Sequence, residues 1–330
     1  MLSRRGFLVA SSVATATIAT GCVTSGSGGD TKETLPTADD RHLAYSLGEY
    51  AANTANSSAS KDSIPSIDDP VFDEVGGDYA SSLSDGEVVF GVEVEGDARA
   101  YPQRVMVHHE VVNDTLAGEN IAVTYCPLTG TAMGYRRGGT TFGVDGVLVN
   151  SNLVLFDRDT DSRFPQVIGV GVSGERKGDV LEGLRVFWTT WGRWSDEHPE
   201  TLVLTDETGY VRNYDRDPYG SYSHGSDSDP AAGYYVDDDV LYPLMNEAGK
   251  FGPKEVFVCA RDPRNAVAFR KESLRDEGEA TIETESREYV ATYDKTLDTA
   301  TVERDGAPLI AFDAMWFAWS AFYPGTEVRG

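Results

Sequence analysis

The apolar positions of this chain fall mostly at every second residue, in runs too short for long helices. Val88–Val94, Ile121–Cys126 and Val256–Ala260 are such runs, each bounded by Gly, Asp or Pro. Because alternate side chains of a strand face opposite sides, the pattern predicts β-strands. Turn residues at 95–97 and 262–265 join strand patterns and predict hairpins. Helical spacing is brief: Trp191 with Trp194, and Trp316 with Trp319, precede Pro199 and Pro324, which suggests a short helix plugging a sheet.

The runs recur. Val88–Tyr101 aligns with Val256–Phe269, and Val123–Ala132 with Ala291–Ala300, both at an offset of 168 residues. Trp191–Val203 aligns with Trp316–Val328 at an offset of 125, so the second copy is about 43 residues shorter and lacks a counterpart of roughly 136–184. Three blocks in one order predict a duplication. The expected fold is mainly β, bordering on α+β: two tandem related antiparallel β units with a few short helices packed on them. The first unit is placed at 61–205 and the degenerate second at 256–330. Residues 206–255, whose acid clusters at 215–217, 227–229 and 237–239 read as solvated surface, form an acidic linker region between them.

The N-terminus carries an address. Ser3-Arg4-Arg5-Gly6-Phe7-Leu8 reads as a twin-arginine signal, followed by the apolar run Phe7–Ile18 and a lipobox-like Ala19-Thr20-Gly21-Cys22. That run is too short to span a bilayer. Residues 1–22 are therefore expected to be a signal peptide and 23–60 a flexible tether, Gly-, Ser- and Thr-rich and without apolar periodicity. Cys22 would carry a lipid, placing the protein on the cell membrane, facing the extracellular side.

A net charge of −26, with 7 lysines against 21 arginines, exceeds what solubility needs and suits a high-salt milieu that screens the repulsion. No basic stripe exists to neutralise phosphates, so nucleic acid is excluded as a partner. Oligomeric state is not written in the chain.

The chemistry concentrates at Ile121–Tyr135. Cys126 ends a strand pattern and is followed by Pro127 and Gly130, and Thr129 takes the place of the second thiol of a Cys-x-x-Cys spacing. Two readings stand: a prepared, accessible thiol with its thiolate more populated than a pKa of about 8.5 allows, or a small buried hydrophobe at a turn. The second unit favours the first reading, because it keeps the scaffold residues yet has Asp294 in place of Cys126. Cys259, in an alternating run, should be an inert packed side chain. His108 and His109 lie in Met106–Asp114, a stretch short enough to be one helix or strand with one histidine facing the core. His109 could raise the thiolate fraction, or hold copper or zinc with Cys126. A blue-copper arrangement is disfavoured, since no histidine follows Cys126 until His198. Asn152, Asp157 and Gln166 lie among apolar residues of the segment found only in the first unit, and lock turns or line a pocket. Gly169–Gly174 satisfies a dinucleotide fingerprint in letters only, because Gly178 and Gly183 interrupt any following helix. Asp157, Asp159 and Asp161 copy half a calcium loop.

The segments 108–114 (HHEVVND), 123–132 (VTYCPLTGTA), 149–162 (VNSNLVLFDRDTDS) and 316–328 (WFAWSAFYPGTEV) together resemble the family known as domain of unknown function 3179. The resemblance spans roughly 60–328. It implies a cysteine-centred site, because related sequences commonly read Cys-Pro-Leu-Cys here and some look like selenoproteins. Thr129 departs from that pattern and removes the second sulfur, so a dithiol–disulfide cycle within the motif is not available. The function classes left are a membrane-anchored thiol oxidoreductase or redox sensor acting on an exported thiol protein or an electrophile, and a non-enzymatic module binding a metal ion or a surface partner. No cofactor is identified.

Overall fold

A computed structural model describes residues 41–221, 232–247 and 249–330. The twin-arginine stretch, the lipobox with Cys22, and the acid cluster at 227–229 lie outside the described residues.

The fold is mainly β, and the same arrangement of elements occurs twice. In the first unit, β1 (Val88–Val94) and β2 (Asp97–Pro102) form a hairpin that leads into α1 (Gln103–His109). An antiparallel meander follows: β3 (Val111–Leu116), β4 (Glu119–Cys126) and β5 (Thr131–Arg136). After an insertion containing β6 (Phe142–Val149), β7 (Asn152–Asp157) and β8 (Arg163–Pro165), the unit closes with β9 (Gly183–Leu184), β10 (Phe187–Thr190), α2 (Trp191–Glu197) and β11 (Leu202–Leu204). The two sheets run β10-β1-β2-β11, extended beyond β11 by Phe72–Glu74, and β9-β5-β4-β3.

The second unit repeats this without the insertion. Its elements are β12 (Val256–Arg261), β13 (Ala266–Arg270), α3 (Lys271–Glu277), β14 (Glu279–Glu283), β15 (Glu288–Asp294), β16 (Thr299–Arg304), β17 (Ala307–Leu309), β18 (Ala311–Met315), α4 (Trp316–Phe322) and β19 (Glu327–Arg329). Its sheets run β18-β12-β13-β19 and β17-β16-β15-β14, the same two orders. The last strand of each unit joins the second parallel, β11 on β2 and β19 on β13. Register repeats too: Cys126 faces Thr131 across β4–β5, and Asp294 faces Thr299 across β15–β16. In each unit the second helix tryptophan donates its indole N–H to a threonine seven residues on, Trp194 to Thr201 at 3.0 Å and Trp319 to Thr326 at 2.9 Å.

The insertion changes what the meander buries. In β14 exposed and buried residues alternate, as one solvated face requires. In β4 the six residues Ile121–Cys126 are all buried. Ile121, Val123 and Tyr125 pack on β1, β2 and α1, whereas Ala122 and Cys126 face the core built by β6, β7 and β8. Two further segments pack more closely than their composition suggested. Ser46 and Glu49 form a capping box that starts a helix at Leu47–Ala52, Thr54–Asn56 pairs with β6, and Tyr50 is fully buried, so residues 41–60 are folded chain and not tether. In the region read as an acidic linker, Tyr214, Tyr234 and Tyr235 are buried. Asp217 there accepts hydrogen bonds from Gln103 at 2.7 Å and Tyr235 at 2.9 Å, so it is not a solvated acid.

A candidate thiol–carboxyl site

The turn after β4 is built to receive hydrogen bonds from its own backbone. In the second unit the Asp294 carboxylate accepts from the N–H groups of Thr296 at 2.8 Å and Leu297 at 3.3 Å. Cys126 puts a sulfur where that carboxylate stands. Thr129, the counterpart of Leu297, donates its backbone N–H to the Cys126 carbonyl at 3.3 Å, and its hydroxyl and N–H, with the N–H of Leu153 in β7, pull the thiol pKa down. Such donors stabilise a thiolate. The thiol's own hydrogen points to the Ser151 carbonyl, with Sγ and O 3.8 Å apart.

Thr129 is fixed from behind by a buried polar network. Its hydroxyl lies 2.9 Å from that of Thr131 and accepts from Asn152 Nδ2 at 3.0 Å. Asn152 and Thr131 both donate to Gln166 Oε1 at 2.7 Å, and Gln166 Nε2 donates to Thr124 at 2.9 Å. Asn152 and Gln166, the two amides that the insertion brings to Thr129, are thus partnered at both oxygen and nitrogen.

Glu110 completes the site. It follows α1 in the left-handed conformation, φ 58°, with its N–H bonded to Met106 O at 2.7 Å and its carbonyl accepting from Tyr125 N–H at 2.8 Å. Its counterpart is Gly278, φ 80°, bonded in the same way to Leu274 and Tyr293. Glycine is the expected residue there, and a glutamate carries backbone strain. The Glu110 side chain is 7% exposed, and its carboxyl has no hydrogen-bond partner among the described residues. Burial alone pushes its pKa up to about 8.

Cys126 is only 1% exposed, which corrects the expectation of an accessible, acidified thiol. Burial, and then the Glu110 charge, push its pKa up to about 11, against the downward pull of the Thr129 and Leu153 donors. Tyr219 and Tyr234 feel the same sulfur, and Tyr234 donates to the Leu128 carbonyl at 2.8 Å, which closes the site on the side of the acidic region. Cys259 is fully buried between β13 and β18, and burial holds its pKa well above the ordinary value.

The structure thus gathers Cys126, Thr129, Asn152 and Gln166. His109 it places elsewhere: Nδ1 lies 2.7 Å from Pro65 O and Nε2 2.8 Å from Tyr214 Oη, so both ring nitrogens are taken by groups other than the thiol. Burial lowers its pKa to about 4 and keeps the ring neutral. Asp157 sits at the far end of β7, where it accepts from Thr140 at 2.7 Å, from Arg176 at 2.5 Å and from the Asp159 N–H at 2.8 Å, locking the 157–162 turn. Gly169–Gly174 carries two left-handed glycines and starts no helix. Among the described residues no group of three or more His, Cys, Asp or Glu side chains is placed to hold a metal ion. Glu110 was missed as a candidate, although its alignment with Gly278 is visible in the sequence.

A family model described as protein of unknown function (DUF3179) matches residues 61–307. The chain belongs to this family. No curated protein and no solved structure matches it. The matched range takes in both β units as far as β17, so Cys126, Glu110 and the insertion that supports Thr129 all belong to the family domain.

Proposed function

We infer that this DUF3179 protein is a thiol-based redox protein, in which Cys126 is oxidised by a small uncharged oxidant and Glu110 manages the proton. The carrying observation is the double replacement between units. Where the second unit has the unstrained Gly278 and the hydrogen-bonded Asp294, the first has a strained glutamate, without a hydrogen-bond partner among the described residues, and a thiol. Backbone strain and a carboxyl whose pKa is raised by burial are not needed by the scaffold, as Gly278 shows, so their joint presence beside one sulfur favours a functional role.

Burial selects the oxidant: hydrogen peroxide is small and neutral enough to reach a closed site. In the step, the Glu110 carboxylate accepts the Sγ proton as sulfur attacks one peroxide oxygen. The S–O bond forms, the O–O bond breaks, and the proton passes to the departing hydroxide to give water. Sulfur is oxidised by two electrons to a sulfenic acid and the peroxide is reduced. With Thr129 in place of a second thiol, the sulfenic acid is resolved by an external thiol; an exported thiol protein serves as that partner only when the segment around Tyr219 and Tyr234 opens to admit it.

The anchoring reading is part of the same proposal: a lipid on Cys22 holds the domain at the extracytoplasmic face, and the charge of −26 suits a high-salt milieu. The test is exposure of the purified protein to peroxide with a sulfenic-acid trap, followed by peptide mass mapping. Trapping at Cys126 and not at Cys259, abolished in Cys126→Ser, is expected. Equal modification of both cysteines, or of neither, contradicts the reading.

A further inference from the structure

A cavity of about 370 Å³ lies between the two units, walled by β5, β9, the end of β12 and β17. Three arginines line it, Arg41, Arg261 and Arg304, and the first two stand side by side. Arg41 donates to the carbonyls of Ile168 and Leu181, both at 3.2 Å, and Arg261 donates to the same Ile168 oxygen at 3.4 Å. Two like charges therefore converge on one carbonyl, and among the described residues neither has a carboxylate within ion-pair distance. The acid in the wall is already engaged: Asp262 accepts from Arg304 at 3.1 Å, Tyr289 at 2.7 Å and the Arg264 N–H at 2.7 Å. Arg261 Nε is sealed from solvent without a hydrogen-bond partner, and its guanidinium lies 5.4 Å from the Phe312 ring centre. Burial and then the Arg261 charge lower the Arg41 pKa to about 10. In a chain with 54 acidic residues against 28 Lys and Arg, leaving two adjacent guanidiniums without an acid is a conspicuous arrangement.

We propose that this cavity binds a small-molecule monocarboxylate with a hydrocarbon body. Paired guanidiniums recognise a carboxylate through several N–H donors at once. The rest of the wall sets the body of the ligand: Leu184, Leu309 and Phe312 are apolar, and Ile310, 43% exposed, stands at the mouth. The volume exceeds what an inorganic oxyanion fills, and apolar walls leave such an ion's outer oxygens without partners. The proposal is independent of the thiol chemistry.

The test is calorimetric titration of the full chain with benzoate at fixed high ionic strength, with sulfate as competitor. Saturable one-site binding is expected, weakened at least tenfold in Arg41→Gln and in Arg261→Gln, and not displaced by equimolar sulfate. Ile310→Glu, at the exposed rim, adds a repelling charge without touching the core and should weaken binding by a similar factor, which keeps the test decisive if either arginine variant fails to fold. Non-saturating heat, unchanged affinity in Ile310→Glu, or displacement by equimolar sulfate would overturn the proposal.

Discussion

Glu110 concentrates the tension in this molecule. Its φ of 58° is unfavourable, burial raises its carboxyl pKa, and Gly278 shows what the fold itself asks for at that position. Glu110→Gly should therefore stabilise the protein by about 1 kcal/mol through relief of the left-handed strain, measured by denaturant unfolding. The charge makes a separate prediction. The folded pKa of about 8 lies above the value near 4.3 of an unfolded glutamate, so the folded state holds its proton longer. The associated stability is fully present below the unfolded pKa and is lost as pH rises through 8. Glu110→Gln should flatten that loss, and unfolding midpoints compared between pH 5 and pH 9 will show whether the wild type alone declines. Cys126 was legible from its motif and from the contrast with Asp294, but its burial was not. The tyrosines that cover it come from a region whose acidic composition hides them, and a strand end in sequence looks open until distant segments pack on it.

At the scale of elements, the tryptophan helices carry the repeat most plainly. Each indole N–H is matched to one threonine hydroxyl, and Trp194 lies so close to Gly91 that a methyl group there would meet its ring at 2.3 Å. Thr201→Val keeps the shape but leaves a buried N–H unpaired, and should cost about 1–3 kcal/mol. Thr326→Val should cost less, since Thr326 is half-buried where Thr201 is only 1% exposed. A thermal or denaturant comparison of the two variants checks the ranking. The period-two runs, the hairpin turns and the common offset made the duplicated strand order readable from sequence, because each is a local pattern repeated in order. His109 and Asp157 misled for the complementary reason. Sequence gives their polarity and neighbourhood, whereas their partners, Pro65, Tyr214, Thr140 and Arg176, are fixed by the folded arrangement.

For the whole molecule, the duplication supplies a scaffold and the insertion supplies a site. β6, β7 and β8 cover one face of the first meander and bring Asn152, Leu153 and Gln166 to the turn that the second unit leaves without them. The surface charge acts over the same whole. Screening of mutual repulsion should raise the unfolding midpoint steadily between low and high salt, which a salt series of thermal melts measures. The central claim, that Glu110 serves the Cys126 thiol, is tested most directly by the pH dependence of Cys126 modification by hydrogen peroxide in wild type and Glu110→Gln. A rate that rises with an inflection near pH 8 in wild type, falls at least tenfold at pH 8 in the variant, and leaves Cys259 untouched in both is the predicted result. Identical profiles in the two proteins would contradict it.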